Sequence, residues 1–130
     1  MRYMIQVFAA TATYEKDMAA YGPEGFQALS AFMEALNKDL QERGEWVEAQ
    51  GLEGPGSVTT VRATDGGAPE VTQGQHAPTK DILAGYWVVD VASHERAVEI
   101  AHHISTCPGP DGSPSNDPVE LHVVAAEPPA

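Results

Sequence analysis

The sequence predicts an α+β fold in which two helices lie on one face of an antiparallel sheet. Two stretches repeat their apolar residues every three or four positions, and short runs rich in β-branched and aromatic residues lie before, between and after them. Because the helical stretches alternate with strand-like ones along the chain, the two layers must be woven together and not stacked as separate blocks.

Tyr3 to Ala9 is apolar apart from Gln6 and reads as a strand that enters the core at once. Thr11 to Gly25 has no sustained period and holds Gly22, Pro23 and Gly25, which predicts a connection with at most one short turn. Beyond it Phe26, Leu29, Phe32, Met33, Leu36 and Leu40 recur at helical spacing, with Glu34, Lys38, Asp39 and Gln41 on the other faces. Pro23 suits the first turn of that helix and Gly44 its stop. Trp46 to Ala49 reads as a short strand, followed by a corner at Gly51, Gly54, Pro55 and Gly56. Ser57 to Ala63 and Glu70 to Thr72 are two arms of a hairpin whose turn contains Asp65, Gly66 and Gly67. Ala84 to Val91 is the most β-prone run and predicts a central strand. Ser93 is a helix N-cap, and Ala97, Val98, Ala101 and Ile104 mark the buried face of the second helix, which ends before Pro108. Pro108 to Pro118 is a loop, Val119 to Ala126 closes the fold as a strand, and residues 127–130 form a tail.

This order is the split βαβ arrangement of ferredoxin-like folds, with a hairpin added, and residues 1–126 read as one domain. The sheet face away from the helices would carry Met4, Phe8 and one of the adjacent pair Tyr86 and Trp87. Such a face needs cover, and a homodimer supplies it.

Seven Lys and Arg against nineteen Asp and Glu give a formal charge of −12, which repels a phosphate backbone and an anionic membrane surface. Nucleic acid and membranes are therefore not expected partners. No apolar run is long enough to span a bilayer, and the first ten residues lack signal-peptide features, so the expected location is the cytoplasm. Cys107 is the single cysteine and lies in a loop-like stretch, which predicts a free thiol and not a nucleophile.

Arg2-Tyr3-Met4, Gly51-Leu52, Thr59 to Arg62, Asp65-Gly66, Val71-Thr72, Thr79 to Asp81, Leu83 to Tyr86, Val89 to Val91 and Val119 to His122 follow one another along the chain. In their order and spacing these fragments resemble the YCII-related, DGPF-type family. The resemblance implies a ferredoxin-like protomer, a dimeric α+β barrel, and a cleft between sheet and partner. Gln73-Gly74-Gln75-His76 stands where that family has Asp-Gly-Pro-Phe. Gly25 and the Thr106 to Gly109 stretch stand where its YciI-type branch places a His and Asp dyad, so that dyad does not carry over.

His76 is the first candidate for acid–base work, because imidazole titrates near neutral pH and the resemblance puts its loop at the cleft rim. Lys80 follows closely and would stabilise a substrate's negative charge. Gln75, Tyr86, Asp90, Glu120 and His122 are candidate substrate-binding residues. Glu120 and His122 share one face of the last strand, opposite Val119, Leu121 and Val123. Exposed loop and sheet-face residues are the plain alternative for each of these. His102 and His103 diverge by about 100° around a helix and His94 lies about two turns earlier, so no metal site is expected. Without a phosphate-cradling loop, dinucleotide fingerprint or nucleophile elbow, no cofactor is expected either. Two readings stand. One is a cofactor-independent isomerase, cyclase or lyase working by proton transfer in the cleft. The other is a non-catalytic small-molecule-binding or accessory domain.

Overall fold

The structure, a computed structural model, describes residues 1–126, and the expected tail at 127–130 lies outside them. In chain order the elements are β1 (Arg2–Ala9), α1 (Tyr14–Glu42), β2 (Trp46–Gly51), β3 (Thr59–Arg62), β4 (Glu70–Gln73), β5 (Ile82–Asp90), α2 (His94–Ser105) and β6 (Val119–Val123). Four of the strands make one antiparallel sheet in the order β2-β5-β1-β6. The predicted α+β, ferredoxin-like architecture is the one observed.

Alternation along the two central strands decides which residues enter the core. On β1, Tyr3 and Ile5 are buried on the helix side, and on β5, Trp87 and Val89 join them. Leu36 and Leu40 of α1 and Ala97, Ile100 and Ile104 of α2 close this layer from above. Of the adjacent aromatic pair, Trp87 therefore faces the helices. Tyr86 faces the other way, opposite Gln6.

Two expectations are corrected. Val98, read as part of the buried face of α2, is exposed, and Ile100, one helical turn from Ala97 and Ile104, is buried instead. The segment before Pro23 is not a connection: α1 begins at Tyr14 and is interrupted at Gly22, where φ is 62° and ψ 178°. Proline disfavours the α conformation in the residue before it, and glycine takes a positive φ without Cβ strain, so helix breaks and restarts here.

The hairpin β3–β4 forms its own two-stranded sheet, with Val61 opposite Val71 and both largely exposed. At α2 the Ser93 hydroxyl accepts the Arg96 amide at 3.1 Å, as an N-cap should. The Gly- and Pro-rich loop after α2 is pinned back onto it. The Asn116 amide bonds the Ser105 carbonyl at 2.9 Å, and the Ser105 hydroxyl donates to the Asp117 carbonyl at 2.8 Å. No described helix is long and apolar enough to cross a membrane.

Candidate functional site: an apolar cleft and an outer sheet face

The inner face of the sheet does not fill completely against α1. Phe32, Met33 and Asn37 on α1 stand over Val7 of β1, Ala49 of β2 and Trp87 of β5, leaving a cleft of about 200 Å³. Ile104 and Cys107, at the end of α2, close one side. Gly85 lies in the floor. A Cβ there would fall 2.9 Å from the Gln50 carbonyl oxygen, so only glycine lets β2 and β5 approach this closely.

Among the described residues the cleft is lined by no Asp, Glu, Lys, Arg or His. Gln50 and Tyr86 reach its wall from positions whose side chains alternate to the opposite face. Asn37 and Cys107 are the polar side chains that belong to it. The Trp87 indole N–H donates to Asn37 Oδ1 at 2.8 Å. Cys107 Sγ lies 3.3 Å from the Ser115 hydroxyl, and burial holds its thiol above the ordinary range, so it stays protonated at neutral pH.

The outer face carries most of the residues singled out from sequence. Opposite Gln6 sit Tyr86 and Glu120, and opposite Met4 sit Val88 and His122. Glu120 and His122 do come together, with Oε1 and Nε2 2.9 Å apart, both side chains exposed. Tyr86 donates its hydroxyl to Glu48 at 3.3 Å; lost hydration, and then the neighbouring carboxylate, push the phenol up. Asp90 sits at the end of β5. There the Met1 ammonium, at 3.0 Å, holds its carboxyl below the usual carboxylate range, and Arg2 adds to the effect.

His76 and Lys80 lie elsewhere, on the loop between β4 and β5, and both are exposed. The Arg62 guanidinium approaches His76 Nδ1 at 3.4 Å, and Gln75 Nε2 donates to the Lys80 carbonyl at 3.3 Å. Neither His76 nor Lys80 lines the cleft. The sequence therefore pointed at the rim and the outer face, while the cleft's own polar groups, Asn37 and Cys107, were passed over. Asn37 carried a signal: it falls on the apolar stripe of α1, one turn after Met33. A polar residue in that place must be satisfied by a specific partner.

The family model for the YCII-related domain matches residues 1–108. The chain belongs to the YCII-related family. All the cleft-lining residues, from Val7 to Cys107, fall inside the matched stretch, whereas β6 with Glu120 and His122 lies beyond it. A comparison with curated proteins finds no match for this YCII-related chain. Among its described residues no group of three or more His, Cys, Asp or Glu is placed to hold a metal ion.

Proposed function

We propose that this protein binds a small, uncharged organic molecule in the cleft between α1 and the inner face of the sheet. One observation carries the reading: a concave, predominantly apolar wall with two inward polar side chains, Asn37 and Cys107, lies within a protein of strong net negative charge. Ligand sites are concave and mostly apolar, with a few polar groups that fix orientation.

The test uses Cys107, the single cysteine. A fragment screen followed by ¹H–¹⁵N NMR should give hits that shift Met33, Trp87 and Ile104 together and slow alkylation of Cys107 by iodoacetamide. Without ligand, alkylation should be slow at neutral pH and quicken as pH rises, because burial keeps the thiol protonated. Hits that cluster on the outer face, with Cys107 unprotected, would reject the cleft as the binding site.

The Glu120 and His122 pair favours a second reading, cofactor-independent proton transfer of the isomerase, cyclase or lyase kind on the outer face. A carboxylate that holds an imidazole is the arrangement such chemistry needs, and pairing of two protomers through this face would shield it from water. His76 and Lys80, on their separate loop, belong to this reading. His122→Gln should abolish turnover of a substrate found by screening while leaving cleft binding intact. Turnover that survives the change removes His122 from the mechanism.

A further inference from the structure

The polar pair at the cleft wall narrows the ligand class. Trp87 and Asn37 are fifty residues apart in sequence, and their side chains meet at 2.8 Å. An indole N–H only donates, so the Asn37 amide must turn its oxygen to Trp87. The orientation of that amide is thus set by chemistry and not by choice. The consequence falls on the other arm of the same planar group. Nδ2, with two N–H donors, makes no hydrogen bond to any described protein group, and no buried side-chain nitrogen or oxygen is left without a partner. Those donors are therefore open to whatever occupies the space beside them.

We infer that Asn37 is the specificity-determining residue of the cleft and that its amide N–H donates to a carbonyl-type acceptor on a neutral ligand: a ketone, aldehyde, ester or lactone. The inference rests on the cleft being the binding site. The remainder of the wall agrees with it. Val7, Phe32, Met33, Ala49 and Ile104 offer only apolar contact, and among the described residues no cation lines the cleft to receive a carboxylate. The Cys107 thiol, kept protonated by burial, is a weak donor already occupied with Ser115. Tyr86 spends its hydroxyl proton on Glu48 across the sheet. Gln50, paired with the outward Tyr86, directs its amide to the opposite face of the sheet. Asn37 is left as the strong neutral donor whose side chain belongs to the cleft, and Trp87 holds it in place.

Cyclohexanone and toluene, of matched size, separate the possibilities when titrated into the full-length chain and followed by NMR shifts at Met33, Trp87 and Ile104. In Asn37→Leu, cyclohexanone affinity should fall about fivefold to tenfold, the worth of one neutral hydrogen bond. Toluene affinity should hold or improve. Asn37→Asp keeps an acceptor for Trp87 but has no amide donor, so it should show the same selective loss and serves if the leucine variant does not fold. Equal factors for both probes in either variant would overturn the role of Asn37 while leaving the cleft as a binding site. If neither probe shifts the cleft resonances in the unaltered protein, the cleft reading falls and this inference falls with it.

Discussion

Asp117 sits where the loop after α2 returns toward β6, half-covered, with Asp17 and Asp81 as its charged neighbours. Burial first, then those two carboxylates, push its carboxyl up, against a hydrogen bond from Ser115 that works the other way. A raised carboxyl binds its proton more tightly in the folded state than in the unfolded one. Stability contributed by this group is therefore present below the ordinary carboxylate range and is lost as pH rises through the folded pKa. Asp117→Asn should then be more stable than the parent at neutral pH, by less than about 1 kcal/mol given how much solvent screens the site. Its advantage should shrink toward about pH 4, near the unfolded value. Urea denaturation at both pH values measures this, and a variant that loses stability equally at both would refute the assignment. At this scale the sequence was half legible. Glu120 and His122 were readable as a pair because strand alternation is local. The contact between Asn37 and Trp87 was not, because it joins a helix to a strand far along the chain.

Arg96 shows how one residue fixes the relation of two elements. From the first turn of α2 its guanidinium forks onto Glu45, just before β2, with contacts of 2.8, 3.0 and 3.2 Å. The two side chains are only 26% and 14% exposed, unlike the Arg43 and Asp39 pair on α1 at 57% and 48%. That difference decides their worth. Removing one partner of a largely covered, bidentate pair strands the other charge, whereas an exposed pair one turn apart on a helix contributes little. Arg96→Met should cost about 1–3 kcal/mol and Arg43→Met under about 0.5 kcal/mol, by guanidinium denaturation. Equal costs would show that coverage does not set the strength of these pairs. The elements themselves were legible wherever a long apolar period stood, as from Phe26 to Leu40 and from Ala97 to Ile104. The turns from Tyr14 to Tyr21 were missed although Tyr14, Met18 and Tyr21 keep helical spacing. All three are only partly covered, so their stripe is shallow and short, and Gly22 and Pro23 draw attention to a break that lies inside the helix.

At the level of the whole molecule the alternation of strands and helices was enough to predict the α+β, ferredoxin-like class, because a strand–helix–strand connection has few ways to return to the same sheet. The cleft was beyond reach for the complementary reason: its wall draws on both helices and three strands that lie far apart along the chain. The outer face raises the remaining question at this scale. Met4 and Phe8, both partly exposed, place apolar surface on a sheet face that no helix covers, between Glu48 on one side and Glu120 and His122 on the other. Two copies facing each other would bury this strip, while bringing acidic rims together in a chain of charge −12. Such an interface gains from apolar burial and loses to like-charge repulsion, and salt screens only the second. A dimer formed through this strip should therefore tighten as ionic strength rises, the reverse of an interface held by ion pairs. Sedimentation at low and high salt checks the sign. Met4→Glu adds a charge at the centre of the strip on a residue that is partly exposed in the protomer, so it should yield a folded monomer, with circular dichroism and melting as controls. A protein that sediments as a monomer at all salts would leave the outer face open to solvent, and a dimer indifferent to Met4→Glu would place the contact elsewhere.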